Sequence, residues 1–382
     1  MIKRIRITNF KSLLDVSVEL DPVSVLIGRT GTGKTNFVEA LRFLRDCLTT
    51  RNVQGTIQNF GGWPRVLPAT ASAPLSVTFD LAFNAPGLTD EYQYLLSFRA
   101  PNQSSHPAFF GEKLQLGARV LFHQSEGRWV QAPPLAYPPA TGEIILGALT
   151  GVQEVTIAHL VLTTGIGCYA FPDHVLTGSN HTRLPQEKGY GDSGENFLQI
   201  FDGIHTNLQS WHQLRDIAAA LRNLKPSLKT LDLDLPGRQQ IKVTYPRGDK
   251  FLVFDVDQES EGFRRLLACL LALYQTPSKQ TLIFDEPEKG IYPAGLAVLA
   301  DEFKACAAKG RGQVLLTTHS PDFLDHFSPE QIRVVEMRDY ATRIGPIVAD
   351  QVEALREHFL QTKELLTVDE ARLEEQEPAV AQ

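Results

Sequence analysis

An eight-residue glycine-rich stretch, Gly28–Thr35 (GRTGTGKT), constrains the fold of this chain more than any other feature of its sequence. It follows the continuous apolar run Val23–Ile27, which predicts a strand buried on both faces. It precedes Asn36–Leu48, where apolar residues recur at the spacing of a helix. The order strand, glycine loop, helix is typical of a site that binds phosphate groups.

The loop matches the pattern G-x-x-x-x-G-K-[ST], in which each defined position has a chemical reason. Glycines let backbone N–H groups turn toward phosphate oxygens, the Lys34 ammonium neutralises the β and γ oxygens, and the Thr35 hydroxyl can bind Mg²⁺. The following helix adds the positive end of its dipole. A glycine turn with a chance lysine is the alternative. The residues predicted to contact nucleotide phosphates are Gly28, Arg29, Thr30, Gly31, Thr32, Gly33, Lys34, Thr35 and Asn36.

Two acids end the apolar run Thr281–Phe284, which predicts a second buried strand. Such a pair is uninformative alone, since many buried strands end in carboxylates. In a chain with a phosphate-binding loop, Asp285 is placed to hold Mg²⁺ and Glu286 is placed to polarise an attacking water. A glutamate directly after the Mg²⁺ aspartate favours hydrolysis of the nucleotide over binding alone.

Two further segments are ambiguous on their own. Val314–Thr318 predicts another buried strand, and His319 follows it, where an imidazole could reach a γ-phosphate; a lone histidine is more often structural. Ser260, Glu261 and Gly262 begin a predicted helix, whose N-terminus is suited to bind an anion. An ordinary serine N-cap explains these three residues equally well.

In their order and spacing these segments resemble the ABC-type ATPase head of the branch that includes SMC proteins, RecF and OLD-family nucleases. The resemblance covers residues 1–100 and 195–340. The segments that carry it are Ile7–Ser12 (ITNFKS) for the N-terminal strand, Gly28–Thr35 for Walker A, Ser260–Gly262 for a degenerate signature motif, Asp285–Pro293 (DEPEKGIYP) for Walker B with the D-loop, and Thr317–Pro321 (TTHSP) for the switch-histidine loop.

The resemblance implies an α/β fold, namely an ABC-type P-loop NTPase head with an N-terminal antiparallel β-subdomain and a helical subdomain. It also implies that ATP is the substrate, that Mg²⁺ is the cofactor and that two subunits dimerise around ATP. By the same resemblance, catalysis is assigned to Lys34, Glu286 and His319, Mg²⁺ binding to Thr35 and Asp285, further ATP contacts to Lys11 and Ser12, and contacts with the ATP of a second subunit to Ser260, Glu261 and Gly262.

Some positions depart from the family pattern. Residues 259–262 read Glu-Ser-Glu-Gly where transporters have Leu-Ser-Gly-Gly, and Tyr292 replaces the histidine of Pro-Glu-x-x-x-His-Pro. No clear Q-loop is present, and Gln58 is only a candidate for it. The chain lacks the sustained heptads of coiled-coil arms, and the stretch after His319 is too short for a Toprim nuclease domain. We therefore expect a head without arms and without a nuclease of its own.

The rest of the sequence predicts how the chain is organised. Short alternating runs between residues 75 and 130 predict an antiparallel meander, and prolines at 133–139 interrupt the chain. Glu195–Leu224 predicts helices, and residues 241–256 predict a hairpin that turns at Pro246–Asp249. The tail from Val368 is glutamate-rich and predicts a frayed helix or a disordered end, with an acidic interaction tail as the alternative.

These patterns predict a division of the chain into consecutive segments. They are residues 1–50 with the N-terminal strands, Walker A and first helix; 51–142, an antiparallel β insertion; 143–240, a helical subdomain; 241–350, the signature, Walker B and switch-histidine half of the ATPase core; and 351–382, a C-terminal helix and acidic tail.

Composition excludes several classes of protein. With 43% apolar and 21% charged residues the chain has the composition of a globular protein, and no apolar run reaches the ~18 residues of a membrane span. The net charge of −7 argues against bulk coating of nucleic acid. We expect a cytoplasmic protein with no membrane partner. The widely spaced cysteines predict reduced thiols rather than disulfides or a zinc site; they are Cys47, Cys168, Cys269 and Cys306.

Three functions remain open at this point. The first is an ATPase that forms a dimer or higher oligomer around ATP and controls a separate effector protein such as a nuclease or toxin, as small OLD-like ATPases do in bacterial defence against phage. The second is a RecF-like DNA-repair ATPase with DNA as a partner. The third is a nucleotide-gated assembly scaffold with little turnover. The acids at 285 and 286 argue against the third, and the missing nuclease favours the first.

Two clusters of charged residues are relevant to whether the chain acts on or binds nucleic acid. Asp232 and Asp234 lie on one face of a predicted strand, and without a third nearby acid a solvated strand face is favoured over a metal site. Exposed strand cations are usually solubility devices, although they can also contact DNA. The cations of this predicted basic edge are Lys3, Arg4, Arg6 and Lys11.

Overall fold

The computed structural model describes residues 1–70, 75–99, 108–135, 143–149, 151–176, 189–207, 210–234 and 240–374. Its strands are β1 (Ile2–Phe10), β2 (Leu13–Glu19), β3 (Val23–Ile27), β4 (Ser76–Phe83), β5 (Tyr92–Arg99), β6 (Ala108–Leu116), β7 (Arg119–Ser125), β8 (Arg128–Gln131), β9 (Ile166–Tyr169), β10 (Thr230–Leu233), β11 (Ile241–Arg247), β12 (Lys250–Asp255), β13 (Thr281–Asp285), β14 (Gln313–Thr317), β15 (Ile332–Arg338) and β16 (Ala341–Gly345).

The helices follow the same chain order. They are α1 (Lys34–Thr50), α2 (Val53–Asn59), α3 (Trp63–Val66), α4 (Gln153–Leu162), α5 (Asp173–Leu176), α6 (Phe197–Thr206), α7 (Trp211–Leu224), α8 (Glu261–Tyr274), α9 (Pro293–Ala308), α10 (Pro321–Leu324) and α11 (Ala349–Arg356). Among the helices of the described ranges, none combines the length and the apolar character needed to span a membrane.

The chain divides into two compact units. The first unit comprises Met1–Ile166, Pro329–Leu360 and Asp369–Gln382. The second unit comprises Gly167–Ser328 and Gln361–Val368.

The first unit contains a seven-stranded sheet in the order β2-β1-β4-β5-β6-β7-β8. Every neighbouring pair is antiparallel, so the meander predicted between residues 75 and 130 is confirmed. Along β1 the side chains of Ile5 and Ile7 are fully buried and those of Arg4 and Arg6 are exposed. This alternation is what a sheet with one solvated face requires.

Helix α1 packs its apolar stripe on aromatic side chains of this sheet. The ring of Phe43 lies 5.3 Å from Phe10, 6.1 Å from Phe79 and 5.9 Å from Phe98, measured between ring centroids. All of these rings are fully buried. Burial of such rings stabilises a core by several kcal/mol in total, at about 1.5–3 kcal/mol for a phenylalanine. The packing fixes the helix that begins directly after the glycine loop.

Strand β3 carries the glycine loop at its end. Every residue of Val23–Ile27 is buried, as the unbroken apolar run predicts. In the first unit β15 pairs with β3 in parallel and with β16 antiparallel. The β15–β16 hairpin therefore runs beside the strand that leads into the loop.

The second unit is organised around α8. All residues of Phe263–Tyr274 are buried, including the arginines, which is the character of a helix covered on every side. Strands β13 and β14 are parallel, with Asp285 opposite Thr317 at their ends, and β9 is the neighbour of β13. Phe284 on β13 packs on Phe303 of α9 with ring centroids 4.8 Å apart.

A three-stranded antiparallel sheet, β10-β11-β12, precedes α8. The predicted hairpin is confirmed, but the predicted turn is too long because Pro246 and Arg247 belong to β11. Pro246 is tolerated there because β10 pairs with β11 only as far as Thr244, so the missing N–H breaks no ladder on that side. The helices predicted within Glu195–Leu224 are confirmed as α6 and α7.

The acidic tail differs from its prediction. A frayed helix or disordered end is wrong for residues 369–374, which are not helical and are hydrogen bonded in the first unit. Leu373 forms an antiparallel bridge with Ile347, and the buried amide of Gln351 on α11 donates to the carbonyls of Asp369 and Glu370. These hydrogen bonds satisfy backbone groups of the tail, and the glutamate-rich composition of the tail gives no indication of them. Residues 375–382 and the prolines at 138 and 139 lie outside the described residues.

Candidate functional site

The glycine loop is shaped by two glycines that no other residue can replace. Gly28 has φ +152°, and a Cβ there would lie 2.2 Å from the carbonyl oxygen of Val335. Gly33 has φ +105°, and a Cβ there would lie 2.0 Å from the hydroxyl oxygen of Thr342. Strands β15 and β16 thus lie directly against the loop. This close approach leaves no space for a side chain at either glycine.

The Lys34 side chain is hydrogen bonded to the backbone of its own loop. Lys34 is only 5% exposed, and its ammonium donates to the carbonyl oxygens of Gly28 at 2.8 Å and Arg29 at 2.9 Å. The loop residues 29–31 and the Thr35 side chain are exposed, at the N-terminus of α1. An ammonium, exposed backbone and a helix N-terminus together fit the phosphates of a nucleotide.

A network of hydroxyl and amide groups supports the loop from the turn between β1 and β2, from α1 and from β16. The Ser12 hydroxyl lies 2.7 Å from the Thr342 hydroxyl and accepts from the Asn36 amide at 2.8 Å. Thr342 also donates to the carbonyl of Thr32 at 2.8 Å. The structure therefore brings the predicted residues Ser12 and Asn36 together beneath the loop. Thr342 is missed by sequence reasoning, because a lone threonine in a strand carries no signal.

Lys11 sits beside Ser12 in a left-handed conformation with φ +51°. Its ammonium forms an ion pair with Glu39 on α1. The contact of Lys11 with ATP stays a prediction.

In the second unit, Thr317 joins the two acids at the end of β13. The Thr317 hydroxyl donates to a carboxylate oxygen of Asp285 at 2.6 Å and accepts from the backbone N–H of Glu286 at 3.0 Å. Glu286 has φ +50°, an uncommon conformation for a residue with a side chain. Strained backbone of this kind persists where surrounding contacts over-determine it, and it is common at functional sites.

The carboxylate of Glu286 faces two basic side chains. Its Oε1 lies 3.4 Å from Nε2 of His319, and it forms an ion pair with Lys289 three residues further on. The side chains of Glu286 and His319 are 23% and 33% exposed, so both remain accessible to a small ligand. The predicted pair of Glu286 and His319 is thus together in the second unit.

Glu288 is a further acid of this loop, and sequence reasoning did not single it out. Its Oε1 accepts from the Thr318 hydroxyl at 2.6 Å and from the backbone N–H of His319 at 3.2 Å. Glu288 is 8% exposed, and burial raises the pKa of its carboxyl group above the ordinary value. In the sequence, the only indication of its role was its place within the segment Asp285–Glu288 (DEPE).

The signature residues form the start of α8. The Ser260 hydroxyl caps the helix by accepting from the backbone N–H of Phe263 at 3.4 Å, and Glu261 pairs with Arg265 at 3.1 Å. A Cβ at Gly262 would lie 2.6 Å from the carbonyl oxygen of Gly290. The predicted signature and the predicted D-loop therefore touch each other within the second unit.

Other predicted positions are placed as follows. Tyr292 is 74% exposed at the start of α9, and Gln58 is exposed on α2. Asp232 lies 2.8 Å from His205, and Asp234 lies 3.4 Å from Lys242, in keeping with a solvated strand face. No group of three or more His, Cys, Asp or Glu side chains suited to a metal occurs within the part of the chain that the structure describes.

Two family models match the sequence. Residues 173–325 match "AAA domain, putative AbiEii toxin, Type IV TA system", and residues 1–59 match "AAA ATPase domain". These ranges contain the second-unit acids with His319 and the glycine loop, respectively. None of the curated proteins matches the sequence.

Solved structures of SMC heads are similar in fold. An SMC head bound to the C-winged helix domain of ScpA has a TM-score of 0.57 at 17% identity, with 92% of this chain and 99% of that chain covered. A Pyrococcus furiosus Smc head with an extended coiled coil, bound to the C-terminal domain of ScpA, has a TM-score of 0.52 at 15% identity, with 94% and 99% covered. The SMC head domain from Thermotoga maritima has a TM-score of 0.50 at 13% identity, with 91% and 99% covered.

The fold is that of an ABC-type P-loop ATPase head, which confirms the predicted fold class. The two family matches and the likeness in fold to SMC heads support the predicted resemblance to the branch that includes SMC and OLD proteins.

Proposed function

We propose that the chain binds Mg²⁺-ATP on Gly28–Thr35 and hydrolyses it to ADP and phosphate. Glu286 accepts a proton from a water molecule that attacks the γ-phosphorus, the bond from this phosphorus to the bridging oxygen breaks, and ADP leaves with the electron pair. Lys34 and His319 donate hydrogen bonds to the phosphate oxygens and stabilise their charge. Thr35 and Asp285 would hold Mg²⁺, which neutralises charge on the phosphates.

The observation that carries the proposal is the pairing of Glu286 with His319, with 3.4 Å between Oε1 and Nε2. Buried strands often end in carboxylates, but this explanation does not account for a glutamate held in left-handed backbone against a histidine. Backbone strain retained at such a place supports a chemical role.

The experiment compares ATP turnover by the wild-type protein with that of Glu286→Gln. The variant should bind Mg²⁺-ATP normally and turn it over ~10²–10⁴-fold more slowly, as expected for loss of a general base. Normal turnover by Glu286→Gln would contradict the role of Glu286, and a wild-type protein without turnover would contradict hydrolysis altogether.

The proposal extends to a dimer around ATP and to a separate effector protein in the cytoplasm. The N-terminus of α8 and the exposed Tyr292 offer the second subunit a polar and an aromatic contact. The family description that names a toxin of a type IV TA system supports a role beside an effector, and bacterial anti-phage defence is the setting we propose.

Incubation of the purified chain with ATP, Mg²⁺ or Mn²⁺ and labelled DNA and RNA tests whether the chain hydrolyses ATP while a separate effector acts on nucleic acid. We expect ATP hydrolysis with intact nucleic acid, and cleavage or toxicity only when a second polypeptide is added. Cleavage by the chain alone that disappears in the Asp232→Asn/Asp234→Asn double variant would contradict it.

A RecF-like role with DNA is less well supported. In the basic edge, Arg6 is bonded to Asp15 at 2.8 Å through two nitrogens, and Lys11 is paired with Glu39. Two cations of this edge, Lys3 and Arg4, are exposed and form no ion pair with a carboxylate among the described residues, which is a small charge for a DNA surface.

A further inference from the structure

One oxygen atom of Glu288 connects two loops of the second unit. These loops are residues 285–290, which follow β13, and residues 317–320, which follow β14. Oε1 of Glu288 accepts from the Thr318 hydroxyl at 2.6 Å and from the His319 backbone N–H at 3.2 Å. The acid that carries the link is therefore on one loop, and both donors are on the other.

The link continues on the far side of His319. The Thr318 hydroxyl accepts from the backbone N–H of Ser320 at 3.0 Å, and the Ser320 hydroxyl accepts from Phe323 at the start of α10 at 3.2 Å. Thr318 is fully buried. The backbone is thus held immediately before, at and after His319, whose imidazole Nε2 lies 3.4 Å from Oε1 of Glu286.

Packing alone does not explain an acid at position 288. Its second oxygen, Oε2, is buried and has no hydrogen-bond partner among the described residues. Leaving a buried carboxylate oxygen unpaired costs free energy that an apolar side chain would avoid. What an apolar side chain cannot supply is an acceptor for the Thr318 hydroxyl and the His319 N–H.

We propose that Glu288 is a positioning residue that holds the switch-histidine loop so that the His319 imidazole faces the Glu286 carboxylate. This inference rests on the proposed ATP hydrolysis. Glu288 acts through Thr318 and the backbone of His319, and it is assigned no contact with the nucleotide. Because a misplacement of ~1 Å can cost about 10²-fold in rate, the loss of this link should slow the chemical step.

The test uses two pairs of variants that separate the hydrogen bonds from bulk. Thr318→Val removes the hydroxyl at nearly constant volume, whereas Thr318→Ser keeps it. Glu288→Ala removes the acceptor, whereas Glu288→Gln keeps an acceptor oxygen for both donors. We expect Thr318→Val and Glu288→Ala to lower kcat by ~10–100-fold with little change in KM for ATP, and the conservative variants to recover most of kcat.

A second readout does not depend on ATP. Hydrogen exchange of the nucleotide-free protein should be faster at the His319 amide in Glu288→Ala and faster at the Ser320 amide in Thr318→Val, because each substitution removes that amide's acceptor. The double variant Thr318→Val/Glu288→Ala should lower kcat no further than the stronger single variant, since the two residues act as one unit.

The outcomes distinguish the possible errors. Faster exchange with unchanged kcat would reduce Glu288 to a structural role and overturn the inference, and unchanged exchange would show that the link is absent. A parallel rise in KM would also overturn it, because the proposed contact of His319 with the phosphate oxygens strengthens in the transition state and should add little to ATP binding. A wild-type protein without turnover would instead contradict the proposed hydrolysis, whatever the exchange rates show, and would remove the reaction that Glu288 is proposed to serve.

Discussion

Glu370 lies against Arg29, and its Oε1 accepts from both Nη2 at 2.5 Å and Nε at 3.0 Å of the guanidinium. Arg29 is the second residue of the glycine loop, and Glu370 belongs to the C-terminal segment 369–374. Gln351 holds this segment in place through the carbonyl of Glu370 at 3.0 Å. A carboxylate thus stands beside the loop that we propose binds the phosphates of ATP.

Glu370→Gln should therefore bind ATP more tightly. The substitution removes a negative charge near the phosphates and releases Arg29, but the pair is exposed, so the gain should be small, about 2–5-fold in Kd at low salt. Higher salt should diminish it. Calorimetric titration with ATP measures the change, and Glu374→Gln, which makes the same charge change further along the segment, is the control. Equal Kd values for the two variants, or weaker binding by Glu370→Gln, would disprove the effect.

Gly262 and Gly203 are both helical glycines, but they should respond oppositely to alanine. A Cβ at Gly262 would lie 2.6 Å from the Gly290 carbonyl oxygen, whereas a Cβ at Gly203 on α6 would meet nothing within 4 Å. Gly262→Ala should lower stability by about 1–3 kcal/mol through overpacking. Gly203→Ala should raise it by about 0.5–1 kcal/mol through helix propensity. Thermal unfolding of both variants checks the signs, and a rise in Tm for Gly262→Ala would show that the start of α8 does not touch the backbone at Gly290.

The stability of the first unit should depend on pH through Glu112. This glutamate is fully buried, and burial raises its pKa from 4.5 to about 7, although hydrogen bonds partly oppose the rise. The folded state therefore binds a proton that the unfolded state has released, so Glu112 makes the protein less stable as the pH rises from 4.5 to about 7. The donors to its carboxylate are Tyr94, Gln124, Ile145 and Leu146.

Glu112→Gln removes this titration and is the variant to compare. The free energy of unfolding of the wild type, relative to the variant, should decline across that window by at most about 1.4 kcal/mol per pH unit. Denaturant unfolding at several pH values measures the difference. Parallel curves for the two proteins would show that Glu112 keeps an ordinary pKa.

The parts of the candidate site that depend on local sequence patterns could be predicted from the sequence. Gly28–Thr35 could be predicted as a phosphate-binding loop because its three signals lie within one short stretch of sequence. They are a buried strand, a glycine turn and the start of a helix. The strands that end at Asp285 and before His319 could be assigned for the same reason, since continuous apolar runs mark strands covered on both faces.

The missed residues act through contacts that no local pattern encodes. Thr342 supports the loop from 310 residues away in the chain, and Glu370 reaches Arg29 from 341 residues away. Glu288 and Thr318 were visible within motifs, but the sequence does not reveal that one donates to the other. The tail was misjudged because its glutamates suggested solvation, whereas Gln351 supplies the partners of its backbone.

Lys34→Ala should abolish tight ATP binding and leave the fold intact. The Lys34 ammonium donates to the carbonyls of Gly28 and Arg29 within its own loop, so its removal should not disturb the aromatic core. Calorimetry measures ATP affinity, and the Tm without nucleotide reports the fold. Lys309→Ala, at an exposed lysine just after α9, is the matched control and should bind ATP as the wild type does. Near-normal affinity in Lys34→Ala would refute the assignment of the loop.

We propose a head that closes around ATP as a dimer and then hydrolyses it, and the molar mass of Glu286→Gln with and without Mg²⁺-ATP tests this proposal most directly. Light scattering on the purified variant should give a monomer without nucleotide and a dimer with Mg²⁺-ATP, because slow hydrolysis traps the ATP-bound state. Adding Ser260→Arg, which places a bulky side chain at the start of α8, should restore the monomer while ATP binding persists. A Glu286→Gln protein that stays monomeric with ATP bound, and that hydrolyses ATP at the wild-type rate, would contradict both the base and the dimer.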